Sequence, residues 1–126
     1  MAKLFLLLGS ISSMLAVMIG AFGAHGLKKI LEENKLTEVF TKASQYHFYH
    51  SLGLLALGFL AMKLPEAMSL KTSAWSMVAG IVLFSGSLYA YAVTANKTFA
   101  MITPIGGLAF IVAWACFAWV VWKSAI

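Results

Sequence analysis

The chain of 126 residues contains no arginine, no aspartate and one cysteine, and only 10% of it is charged. Each shortage excludes something. A soluble domain carries about a quarter charged residues. With 62% hydrophobic residues, a soluble fold would leave large apolar patches in water. Without arginine, the planar fork that grips phosphate or carboxylate bidentately is missing. The net charge of +5 comes from lysine alone, and no nucleic-acid partner is expected. Without aspartate, the only carboxylates are Glu32, Glu33, Glu38 and Glu66, all in connections between apolar runs. Ion-coupled carriers keep an ionisable or oxygen-rich group near the midplane, and this sequence shows none. Cys116 has no partner for an intrachain disulfide and reads as a small packing residue.

What remains is apolar sequence in four runs, at about 4–24, 43–62, 72–93 and 99–122. Each approaches the ~20 residues that a helix needs to cross a bilayer. The expected fold is all-α, a single-domain integral membrane four-helix bundle. The first run follows Lys3 and resembles a signal peptide, but it exceeds the ~7–15 residues of a signal core, so a retained span is expected. Lys3, Lys63, Lys71, Lys97 and Lys123 flank the runs, as do the lysines between Lys28 and Lys42. That placement suits headgroup contact and makes the lipid bilayer the first partner. Four lysines fall on the side of the termini and five on the other, a balance that leaves orientation open.

Residues 27–42 form the one strongly polar segment. Leu27, Ile30, Leu31, Val39 and Phe40 recur at helical spacing within it. This predicts an amphipathic interfacial helix, broken or bent near Asn34; the alternative is that part of the segment extends span two. Pro65 closes the turn after span two. Thr103-Pro-Ile-Gly-Gly107 predicts a kink or wide spot near the start of span four. In span one, Ala16, Gly20 and Ala24 stack on one face and admit a close neighbour, as Gly106 and Gly107 do in span four.

Polar residues converge on the leaflet opposite the termini. His25 ends span one. Tyr46, His47 and His50 open span two, Ser85, Ser87 and Tyr89 close span three, and Thr103 opens span four. Polar groups in a membrane are costly and face a bundle interior or cavity. These eight residues are the candidate ligand-binding cluster. His47 and His50 share a helix face, and with His25 they form a speculative metal set suited to zinc, copper or iron. A facing pair could equally hold haem, and with Tyr46 and Tyr89 the cluster could hold a quinone-type ring. The alternative is that the histidines only hydrogen-bond Ser85, Ser87, Tyr89, Thr103 or backbone carbonyls freed near Pro104. No catalytic residue and no cofactor is identified. The sequence has no phosphate-cradling glycine loop, no Gly-x-Ser-x-Gly and no HExxH.

Gly20-Ala-Phe-Gly-Ala-His-Gly-Leu27, Tyr46-His47 with His50, Leu83-Phe-Ser-Gly-Ser-Leu-Tyr89 and Thr103-Pro-Ile-Gly-Gly107 resemble the YgdD/YwdK-like family. This is a family of small four-helix membrane proteins of bacteria with mitochondrial relatives. The resemblance runs the length of the chain and implies a multi-pass protein of the bacterial-type cytoplasmic (inner) membrane. It carries no activity to transfer. The function expected first is a structural or accessory membrane protein that self-associates or joins a larger complex. Ligand binding by the polar cluster comes second, and a channel or transporter built as an oligomer third.

Overall fold

The computed structural model describes residues 1–65 and 67–126; Glu66, placed in a connection by its sequence, lies outside them. Five helices account for most of the described chain. They are α1 (Ala2–Ala24), α2 (Lys28–Asn34), α3 (Thr37–Lys63), α4 (Met68–Thr94) and α5 (Lys97–Lys123). There is no strand among the described residues. Three helices are long and apolar enough to cross a membrane: α1, α4 and α5. The long α3 is not among them. Its first half carries Glu38, Lys42, Gln45, His47 and His50, which lower its mean hydropathy.

The polar segment divides next to the break expected near Asn34, and its second part joins the following helix, in line with the alternative. Only Lys28–Asn34 is a separate helix, because Lys35 turns left-handed at φ 57° and ends it. Residues 37–42 belong to α3, so that helix begins six residues before the apolar run at 43. Asn34 caps a distant helix end. Its amide donates to the carbonyls of Ala92 at 2.9 Å and Val93 at 3.1 Å, which the last turn of α4 leaves without helical partners. Leu31 is buried beside Phe40 and Ala92, so α2 is anchored by one apolar side chain and one amide.

Both helices of the second half are interrupted. In α4, Ile81–Ser85 forms a π-helical turn. In α5, the helix breaks at Met101 and Ile102 and resumes at Thr103 with Pro104 in its first turn. Proline is tolerated there because those N–H groups need no helical acceptor. The break thus precedes Pro104 instead of centring on it.

The main packing pairs are α1 with α3 and α4 with α5, with the π turn of α4 also seated against α3. The larger core lies toward the termini, around Phe5, Leu54, Leu57, Leu70 and Met77. Lipid tails are as apolar as leucine, so helices in a membrane associate through close packing and polar links. The seams between helices therefore decide the fold.

Small residues line both seams, though not all of those expected. Ala16 is buried and Gly20 abuts Ser44. Ala24 is exposed at the edge of the groove that Gly20 and Gly23 line against Phe40 and Ser44; the tight position is Gly23, where a methyl group would fall 2.3 Å from the Phe40 ring. The helix face turns away by position 24 because 3.6 residues per turn drift off a strict four-residue spacing. In α5, a methyl on Gly106 would sit 2.2 Å from the backbone nitrogen of Phe84, inside the π turn. At Gly107 the nearest atom would be 3.7 Å away, an ordinary contact.

Candidate functional site

The expected polar cluster resolves into separate arrangements. The first is built on His47, buried in α3. Its Nδ1 lies 2.9 Å from the Tyr89 hydroxyl and its Nε2 3.0 Å from Ser12 Oγ. Ser12 Oγ lies 2.6 Å from Ser51 Oγ, and Ser51 donates to the carbonyl of His47 at 2.7 Å. The protons can be placed by working back from that carbonyl, which only accepts. Ser51 spends its one proton there, so Ser12 donates to Ser51. Ser12 then has none left and accepts from His47 Nε2–H. The ring is buried, which disfavours a second proton, so Nδ1 is the acceptor and Tyr89 donates to it. The result is a one-way relay from Tyr89 through His47, Ser12 and Ser51 back to the His47 main chain, tying α4, α3 and α1 together.

The second arrangement is built on His50, one turn further along α3. Its Nδ1 lies 2.7 Å from the Tyr46 carbonyl, and Trp114 of α5 donates its indole N–H to Nε2 at 3.0 Å. A carbonyl cannot donate and an indole N–H cannot accept, so the bond network makes His50 a neutral Nδ1–H imidazole. His47 is the opposite, a neutral Nε2–H imidazole. The His50 ring stacks on Phe110 with centroids 3.5 Å apart and 12° between planes. Tyr46 stacks on Phe84 at 4.8 Å. Aromatic surface thus fills the space around His50.

The remaining residues act as links between helices. Ser85 donates to the Ala43 carbonyl at 2.8 Å, fastening the π turn to α3. Ser87 and Thr103 share a 2.6 Å hydrogen bond between α4 and the restart of α5. Neither link includes a histidine. His25 caps the end of α1 and is exposed, apart from the other two. Among the described residues, no three His, Cys, Asp or Glu side chains come together to hold a metal ion. His47 and His50 also offer no spare lone pair, since Tyr89 occupies one and Trp114 the other. The three-histidine metal set is therefore not assembled in this fold. No buried side-chain nitrogen or oxygen among the described residues lacks a partner.

Sequence reasoning missed Ser12, Ser51 and Trp114. The signal for Ser51 was its place four residues after His47, where a hydroxyl bonds back to a helical carbonyl. Ser12 showed only as a polar residue inside an apolar run. Nothing in the sequence singled out Trp114.

Long apolar helices tied by internal hydrogen bonds define a multi-pass, all-α membrane protein. The chain belongs to the family described as "Protein of unknown function (DUF423)", which it matches over residues 19–107. It is similar to the UPF0382 membrane protein YwdK of Bacillus subtilis (strain 168), at 51% identity over 89% of this chain and 90% of that one. The UPF0382 membrane protein SSP2132 of Staphylococcus saprophyticus is 46% identical over 89% and 91% of the two chains. A UPF0382 membrane protein of Haemophilus influenzae is 39% identical over 98% of each. No solved structure matches this chain.

Proposed function

We propose that all four long helices, α3 included, cross the bacterial inner membrane as a bundle, with α2 lying at its surface. We further propose that the protein works as a structural or accessory component packed against a membrane protein partner or a second copy. One observation carries this reading: both buried imidazoles spend both ring nitrogens on groups from neighbouring helices or their own backbone. Such histidines act as interhelical fasteners. In the polar half of α3, His47 and His50 turn inward, toward Ser12, Tyr89 and Trp114, while Glu38, Lys42 and Gln45 stay on the outer surface; pairing the two imidazoles inside lowers the cost of a crossing by this helix.

The test combines composition and assembly. Protein purified in mild detergent is analysed for metals and for haem absorbance beside a His47→Ala/His50→Ala variant. Cross-linking in membranes then reads its neighbours. The expected result is no stoichiometric metal, no Soret band, a less stable variant, and cross-linked species larger than the monomer. Stoichiometric metal or haem that the variant loses would overturn the fastener reading. A lone monomer in membranes would overturn the accessory reading.

A further inference from the structure

A cavity of about 380 Å³ opens between α1 and α4, over the face of α3. That volume lies within the ~300–1,000 Å³ of small-molecule sites. Its existence follows from the packing. Near the termini, Phe5 of α1 meets Trp75 of α4 edge to face, with ring centroids 5.9 Å apart. Beyond that contact, α1 leans on α3 and leaves α4. Leu8 and Leu15 form one wall, and Val78 and Val82 form the other. Leu15 and Val82 are exposed on the outer surface, so the mouth opens sideways, toward acyl chains in a spanning bundle. The π turn shapes the α4 wall, since Ile81 and Val82 lie in it. Such turns recur at functional sites.

The polar lining is Ser12, His47 and Tyr89, three members of the relay. Counting their protons defines the ligand. Tyr89 O–H is committed to His47, His47 N–H to Ser12, and Ser12 O–H to Ser51. Every donor that faces the cavity is spent. Acceptor capacity remains, because a hydroxyl oxygen has two lone pairs, and Ser12 uses one of its own for the His47 N–H. The lining can therefore receive a proton but has none to give.

We propose that this cavity is a membrane-facing site for an apolar molecule bearing a hydroxyl group, which donates its hydrogen bond to the relay oxygens. A phenolic ring such as a hydroquinone and a long-chain alcohol share that chemistry. A quinone carbonyl lacks it. This goes beyond the fastener role and uses the same relay as a recognition surface. The four-crossing reading is needed only for entry from the bilayer.

The experiment uses the full chain in phosphatidylcholine nanodiscs and reads thermal unfolding against probe concentration. The probes are a decyl-substituted hydroquinone kept reduced, the matching benzoquinone, 1-dodecanol and dodecane. At least one hydroxyl probe should bind saturably, about tenfold more tightly than its hydroxyl-free counterpart, as expected for one donated hydrogen bond. Preference for the hydroquinone assigns a ring ligand, and preference for dodecanol assigns a chain. Val82→Trp and, from the opposite wall, Leu15→Trp should abolish binding. Ser12→Ala frees the His47 N–H toward the cavity, so it should reverse the preference toward the benzoquinone. Three results would overturn the proposal. These are no saturable binding by any probe, equal binding with and without the hydroxyl, and binding unchanged by both tryptophan substitutions.

Discussion

The seam between α1 and α3 and the seam between α4 and α5 use the same two devices in different proportions. In both, small residues bring helices close and polar groups fasten them. The α4–α5 seam is the harder one. Gly106 admits the backbone of Phe84 itself, a methyl added at Gly80 would fall 2.3 Å from the Phe110 ring, and Ser73 donates to the Ala113 carbonyl at 2.6 Å. At Gly9 in the α1–α3 seam, an added methyl would meet the flexible Leu55 side chain at 2.9 Å and the Leu55 backbone nitrogen only at 3.0 Å, against 2.2 Å for the Phe84 nitrogen at Gly106, and the fastening is a chain of hydroxyls. The comparison teaches where each seam can yield. A side chain moves aside more cheaply than a backbone.

The largest effect should break the stiff seam at its tightest point. Gly106→Ala forces a methyl into the π turn and should cost about 3 kcal/mol or more, at the upper end of overpacking. Denaturant unfolding in detergent micelles would measure it. Next, His50→Ala removes a stacked ring and leaves the Trp114 N–H unpaired, a loss of about 2–4 kcal/mol. In the softer seam, Gly23→Ala meets the Phe40 ring, which can turn partly aside; about 1–2 kcal/mol is expected. Coupling between Ser12 and Ser51, read by a double-mutant cycle, should be smaller again. About 0.6 kcal/mol is typical of hydrogen bonds between membrane helices. Gly107→Ala and Ala24→Leu should each change stability by less than about 0.5 kcal/mol. A Gly23→Ala loss as large as that of Gly106→Ala would dissolve the distinction between the seams.

Much of this was legible in the sequence. Apolar run length gave the long helices, because bilayer thickness and helix rise leave little freedom. That His47, Ser85, Ser87, Tyr89 and Thr103 would each bond a partner was legible, because polar groups inside a membrane need one. Three things were not legible. Composition could not separate a histidine that binds a ligand from one that fastens helices, since both require a buried imidazole; only the partners of each nitrogen decide. The small-residue face was shifted by one position at its end, because Gly23 and Ala24 are equally small and helical drift chose between them. The π turn was hidden because Gly80 and Gly86 suggest close packing without saying which turn widens.

The central claim is that His47 and His50 are neutral fasteners of opposite tautomer. Nitrogen-15 NMR of histidine-labelled protein in lipid bilayers tests it most directly, with His47→Gln and His50→Gln variants assigning the signals. The account predicts His47 protonated at Nε2 alone and His50 at Nδ1 alone. The same tautomer in both rings, or a metal-shifted nitrogen in either, would contradict it.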